Sequence, residues 1–142
     1  FWYSSLFDKI GMNSALVEVD MAGNFVGSSY GWATTRDWAK FGLLYLHKGN
    51  WNGEQIFAES WSNYVSTPTN TSKGQYGAQF WLNAGGRFPN APKDMFYASG
   101  YQGQMVAIFP SHDLVIVRMG LKEDPEFDFD GLLSDIVKSL KK

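Results

Sequence analysis

Met105-Val106-Ala107-Ile108-Phe109-Pro110-Ser111-His112-Asp113-Leu114-Val115-Ile116-Val117 decides the fold. Two runs, Met105 to Phe109 and Leu114 to Val117, are apolar at every position, as in strands covered on both faces. The four residues between them cannot hold a parallel crossover, so the pair is an antiparallel hairpin. Downstream, Leu133, Ile136, Val137 and Leu140 recur at helical spacing. Asp128 and Asp130 near the start of that helix, and Lys138, Lys141 and Lys142 at its end, suit the helix dipole. Upstream, Tyr76 to Leu82 reads as a strand with Tyr76, Ala78, Phe80 and Leu82 on one face and Gly77, Gln79 and Trp81 on the other. The pattern predicts an α+β fold: an antiparallel β-sheet flanked by helices.

The first half adds further elements. Ala15 to Val19 has strand character and ends at a turn around Ala22-Gly23-Asn24. Thr34 or Thr35 can cap a helix, with Asp37 three residues after Thr34, approximately as a capping box requires. Trp38, Phe41, Gly42 and Tyr45 form its stripe, widened by Ala39, Leu43 and Leu46, and Gly49 ends it. Trp51-Asn52-Gly53 is a turn, and Glu59 to Val65 is a short helix stopped before Pro68. The opening Phe1-Trp2-Tyr3-Ser4-Ser5-Leu6-Phe7 begins inside an amphipathic pattern without a cap. We therefore expect residues 1–142 to be a single incomplete domain, starting midway through a larger protein.

Composition narrows the function. The 142 residues include 11 Phe, 7 Tyr and 6 Trp, too much apolar surface for a disordered chain. Twelve Lys and Arg against fourteen Asp and Glu leave no electrostatic footprint for nucleic acid. Without cysteine there is no disulfide, thiol nucleophile or zinc–thiolate site. Met95 to His112 is the longest run free of charged residues, but its Gln, Gly, Ser and Pro exclude a membrane segment there. His47 and His112 are isolated, the first near a helix end and the second in a turn, and no cofactor is expected. No phosphate-binding glycine loop and no Gly-x-Ser-x-Gly elbow occur. Ser-x-x-Lys occurs at Ser139 to Lys142, on a frayed end where nothing could desolvate the lysine, and Tyr-x-Asn is missing. Asn70-Thr71-Ser72 matches a glycosylation triplet without secretory context, and Glu123-Asp124-Pro125-Glu126 reads as a solvated loop.

Tyr97-Ala98-Ser99-Gly100-Tyr101-Gln102-Gly103-Gln104 carries the one backbone signal. Two glycines ahead of a doubly covered strand permit close approach of a ligand, and amides at a strand end can hold a developing oxyanion. A β-bulge or plain hairpin turn explains the same residues.

Three stretches, in order, resemble the C-terminal part of the class C β-lactamase and penicillin-binding-protein-like serine hydrolases. Leu6-Phe7-Asp8-Lys9-Ile10-Gly11-Met12 resembles the family's "LF-x-P-LGM" segment. Gly27 to Leu44, with Ser29-Tyr30-Gly31-Trp32-Ala33-Thr34-Thr35-Arg36-Asp37-Trp38-Ala39-Lys40-Phe41-Gly42, is similar to its "G-Y-ST-x-x-DMARFG" helix entry. Tyr97 to Gly120 looks like the strand pair bearing the Lys-Thr-Gly-type motif and the hairpin after it. The Ser-Gly-Tyr-Gln-Gly-Gln variant is nearest to the carboxylesterases and 6-aminohexanoate-dimer hydrolases.

The resemblance implies acyl transfer by a serine from Ser-x-x-Lys, with the lysine and a tyrosine from Tyr-x-Asn moving the proton. Ala98-Ser99-Gly100 falls where Lys-Thr-Gly stands, so the Tyr101 N–H is the implied oxyanion donor, with Ala98, Ser99, Gly100 and Gln104 lining the substrate site. Ala98 in place of a basic residue favours ester or amide substrates over β-lactams. The nucleophile, lysine and catalytic tyrosine would lie in an N-terminal part preceding Phe1; the sequence leaves the compartment open, with family likeness favouring a periplasmic or secreted protein over a cytoplasmic one. This chain would then be inactive alone. It would associate through its apolar face with that missing part, or with itself as a homodimer or domain swap. The competing expectations are a binding module stacking sugars or peptidoglycan on Trp32, Trp51, Trp61 and Trp81, and a purely structural lobe.

Overall fold

The computed structural model describes residues 1–121 and 127–140. A π-helical turn, Tyr3–Phe7, runs into α1 (Asp8–Ile10), which Gly11 ends in the left-handed conformation. There follow β1 (Leu16–Val17), β2 (Gly31–Trp32), α2 (Thr35–Leu46), β3 (Asn50–Trp51), β4 (Glu54–Gln55) and α3 (Glu59–Val65). The second half holds β5 (Trp81–Leu82), β6 (Phe96–Ser99), β7 (Met105–Phe109), β8 (Leu114–Arg118) and α4 (Phe129–Ser139). β5, β6, β7 and β8 form one antiparallel sheet in that order, while β1–β2 and β3–β4 are separate two-stranded ribbons. The Glu123–Glu126 acidic run and the Ser139 to Lys142 match involve positions outside the described residues.

Doubly apolar β7 explains the layering. Ile108 and Phe109 point to opposite faces and both are 0% exposed. On one face Tyr97, Met105, Ala107 and Phe109 meet Leu133 and Val137 of α4. On the other, Phe96 and Ile108 join Val65, Phe80 and Leu82, covered by Phe41 and Tyr45 of α2. Each such fully buried large side chain contributes about 1.5–3 kcal/mol of transfer free energy. The α2 layer lies close to the strands because Gly42 has no side chain. A Cβ there would stand 2.6 Å from a Val115 methyl and 3.0 Å from one of Val106. A third cluster packs Phe7, Ile10 and Met12 against Leu44 on the far side of α2.

Thr34 caps α2, its hydroxyl accepting the Asp37 N–H at 3.3 Å. The expected capping box is only half formed. The Asp37 carboxylate turns instead to Ser14, accepting its N–H at 2.8 Å and its Oγ–H at 2.6 Å, and to Lys40 Nζ at 2.7 Å. Lys40 also donates to the Gly11 carbonyl. Hydrogen bonds from Lys40 and Ser14 hold the Asp37 carboxyl at about 2, below its ordinary 3.8. This knot ties the helix to the segment after α1.

Two strand expectations need correction. Tyr76 to Leu82 is not a continuous strand: only Trp81–Leu82 pairs with β6, and the Gly77 N–H donates to the Phe80 carbonyl across a tight turn. Glycine at position 77 lets the chain run against α3, where a Cβ would lie 2.0 Å from the Val65 carbonyl oxygen, and the chain doubles back with Gln79 at φ 64°. Alternation survives only in that Phe80 and Leu82 are buried and Trp81 is exposed. Likewise Ala15 to Val19 shrinks to Leu16–Val17, with Val19 making one isolated bridge to Phe25.

Candidate active site

The β6–β7 ladder runs from Phe96↔Ile108 to Ser99↔Met105, and beyond it the Gly100 N–H donates to the Gln104 carbonyl at 2.8 Å. Gly100 is extended, at φ −111° and ψ 176°. Successive amides of an extended chain point in opposite directions. With the Gly100 N–H aimed at β7, those of Ser99 and Tyr101 aim away from it. On that outer side β5 pairs only with Phe96 and Tyr97, so the edge from Ala98 onward has no strand partner among the described residues. The Tyr101 N–H donates no hydrogen bond among them either.

Tyr101 opens a single 3-10 turn, Tyr101–Gly103, in which Gln102 (φ 59°) and Gly103 (φ 79°) are both left-handed. The Tyr101 ring projects outward, 87% exposed. The plain hairpin turn anticipated for these residues is present.

A groove of about 860 Å³ lies beside this edge, bounded by Gln75, Trp81, Arg87, Tyr97, Ser99 and Gly100, and closed by Phe127 to Asp130 at the start of α4. Burial pushes the Tyr97 phenol above its ordinary range, with Arg87 pulling it back slightly. Of the residues anticipated for the site, Ser99 and Gly100 line the groove. Ala98 packs with the α2-side core, and Tyr101 stands just past the rim. Gln104 points elsewhere: its Oε1 accepts the Gly120 N–H and its Nε2 donates to the Gly120 carbonyl, each at 2.9 Å.

Sequence reasoning missed the opposite wall. Arg87 and Phe88 sit on a loop organised by Asn83, which is 0% exposed. Its Nδ2 donates to the carbonyls of Phe88, Ala91 and Pro92 at 2.9, 3.2 and 3.0 Å, and its Oδ1 accepts the Phe88 N–H at 2.8 Å. An Asn before Ala-Gly-Gly is a readable turn signal, but nothing local says that one amide serves so many backbone groups. Trp32, Trp51, Trp61 and Trp81 lie on β2, β3, α3 and β5, and only Trp81 reaches the groove. Among the described residues no three His, Asp or Glu side chains cluster to hold a metal ion, and no helix is long and apolar enough to cross a membrane.

Comparison with known proteins fits this architecture. A Bacillus anthracis protein provisionally described as a 6-aminohexanoate-dimer hydrolase superposes on 99% of this chain and 38% of its own, with a TM-score of 0.77 and 24% identity. A Bacteroides dorei DSM 17855 protein provisionally described as a β-lactamase superposes on 98% of this chain and 49% of its own, with a TM-score of 0.57 and 13% identity. The chain thus spans less than half the length of either, and at these identities the likeness shows the fold. No curated protein matches it. The family model described as Beta-lactamase matches residues 4–137, from the first helical turn to the last buried residue of α4, and the chain belongs to that family.

Proposed function

We propose that the chain is the C-terminal portion of a serine hydrolase working through an acyl-enzyme, and that it supplies one oxyanion donor, the Tyr101 N–H. The observation that carries this is an amide without a partner among the described residues, beyond the end of the β6–β7 ladder and beside a groove. In this reading a serine Oγ from the portion outside this sequence adds to an ester or amide carbonyl. The carbonyl oxygen takes the electron pair and is held by Tyr101 N–H and a second amide. The leaving alcohol or amine departs with a proton, and water then cleaves the acyl–serine bond, releasing the acid and restoring the serine. Ser99 and Gly100 flank the substrate, while Ala98, packed against the α2-side core, brings no basic group to the groove that could bind a substrate carboxylate. The 142 residues alone are inactive, because the only Ser-x-x-Lys is Ser139 to Lys142 and no Tyr-x-Asn occurs.

The same reading supplies a partner. The outer edge of β8 has no strand against it among the described residues. Leu-Val-Ile-Val there carries no charge or proline to discourage pairing. The portion bearing the nucleophile covers it, or a second copy does when that portion is missing.

The test uses proline as a backbone probe. Extended Gly100 already has the geometry required before proline, so Tyr101→Pro removes the N–H with little distortion. In the protein expressed from its full coding sequence, this change should lower kcat for p-nitrophenyl acetate by about 10²–10³-fold. Wild-type activity in the variant would overturn the Tyr101 role. Failure of the full-length wild type to hydrolyse esters, the 6-aminohexanoate dimer or nitrocefin would overturn the hydrolase reading. A sharp monomer of the 142-residue chain at high concentration by sedimentation would overturn the partner.

A further inference from the structure

We propose that Arg118, at the end of β8, is the positioning residue of the 100–104 turn, fixing where the Tyr101 N–H points; the proposal rests on the oxyanion reading above. Arg118 faces Met105 across the β7–β8 ladder, at the end where β7 meets the turn. Its Nη1 donates to the carbonyls of Gly103 and Gly120 and its Nη2 to that of Leu121, all at 3.0 Å. The guanidinium lies over Phe127, 4.1 Å from the ring centroid, and 5.3 Å from that of Phe129. Those rings line the far side of the groove. One planar cation therefore grips the turn, the segment that leaves β8 and the groove wall together.

Gln104 completes the grip. Its amide is paired with Gly120 at both ends while its own carbonyl holds the Gly100 N–H, and a Cβ on Gly100 would already touch the Gln104 Cβ at 3.2 Å. The turn needs holding, because Gln102 is left-handed, a conformation costing a residue with a side chain roughly 1–2 kcal/mol. A lysine could not replace this arginine. Three carbonyls in different directions and two aromatic faces call for a flat fork with several N–H groups. The arrangement gives Arg118 no contact with the reacting atoms. It acts through Gly103 and Gln104 on Gly100, and so on the direction of the next amide.

The experiment compares Arg118→Lys and Arg118→Met in two settings. In the full-length enzyme with p-nitrophenyl acetate, both variants should lose kcat, roughly 10-fold for lysine and 100-fold for methionine, with KM within about twofold of wild type. A boronic acid that mimics the tetrahedral adduct should weaken in parallel with kcat. In the 142-residue chain, 15N relaxation should show the amides of residues 101–103 becoming mobile in Arg118→Met while those of Phe96–Ser99 stay rigid. Unchanged kcat in both variants, or loss confined to KM, would overturn the proposal, as would a turn that stays rigid in Arg118→Met. If Arg118→Met does not fold, Arg118→Lys alone decides by the same criteria. Should wild type prove inactive while the turn loosens as expected, the oxyanion reading falls and Arg118 keeps only the turn. An active wild type with indifferent variants removes this proposal and leaves the hydrolase.

Discussion

The protein contains two polar knots built with similar chemistry and opposite purposes. Around Asp37, one carboxylate collects a backbone N–H, a hydroxyl and an ammonium, and binds helix α2 to the segment after α1. Every group finds its partner inside the knot, and the carboxylate is only 8% exposed. Around Arg118, one guanidinium gathers three carbonyls and holds a turn whose first amide has no partner among the described residues. The first knot closes on itself and serves stability. The second leaves one donor unspent beside a groove, the arrangement a binding site needs and a purely structural joint does not.

Asp37→Ala should show the largest effect. Removing the carboxylate strips the Ser14 N–H of its acceptor and Lys40 of its counter-charge, and the loss should be about 2–3 kcal/mol, read as a lower denaturation midpoint with unchanged slope. A loss below half a kcal/mol would make this knot as dispensable as a surface pair.

Gly42→Ala comes next. The added methyl meets Val115 and Val106 side chains at sub-van-der-Waals distance, so the helix must lift from the sheet at a cost of about 1–3 kcal/mol. Thermal unfolding checks it, and a stabilised variant would mean that the α2 contact is looser than described.

The pH dependence is smaller and has a definite sign. The Asp37 pKa is lowered in the folded chain to about 2 from 3.8, so its contribution is complete above pH 4. It fades as pH falls from about 4 toward 2, where the unfolded chain binds the proton first. Because Lys40 is 34% exposed, the change should be discounted to about 1–2 kcal/mol. Asp37→Asn should flatten that part of the stability curve. If the slope between pH 4 and 2 survives, other carboxylates carry it.

The smallest effect belongs to the second knot. Gln102→Gly relieves a left-handed side chain while loosening the unfolded chain, for a net change within about 1 kcal/mol of zero. A loss above 2 kcal/mol would show that the Gln102 side chain itself anchors the turn.

Legibility in the sequence followed the range of the forces. The β7–β8 hairpin, α2 with its Thr34 cap, α3 and α4 were all readable, because apolar periodicity and capping are local. Tyr76 to Leu82 misled because its alternation is real while its backbone turns at Gln79 and passes close to Val65, a residue eleven positions before Tyr76 on another element. The Gly100–Tyr101 bend was visible through its glycines and the family motif. The direction of its amide depends on the hydrogen bond from Gly100 to Gln104, which no pattern spells out. Arg118 and Arg87 could be seen only as charges, since what they face is set by tertiary approach.

Asn83 shows how the groove wall is kept. Its amide fills a buried hole in which three oxygens accept hydrogen bonds and one N–H donates one. Aspartate has nearly the same outline, so Asn83→Asp would disturb little volume yet would turn the donor end into a negative oxygen confronting three others. The shape of the wall bearing Arg87 thus hangs on the donor character of one side-chain nitrogen, a dependence invisible to volume and to hydrophobic packing.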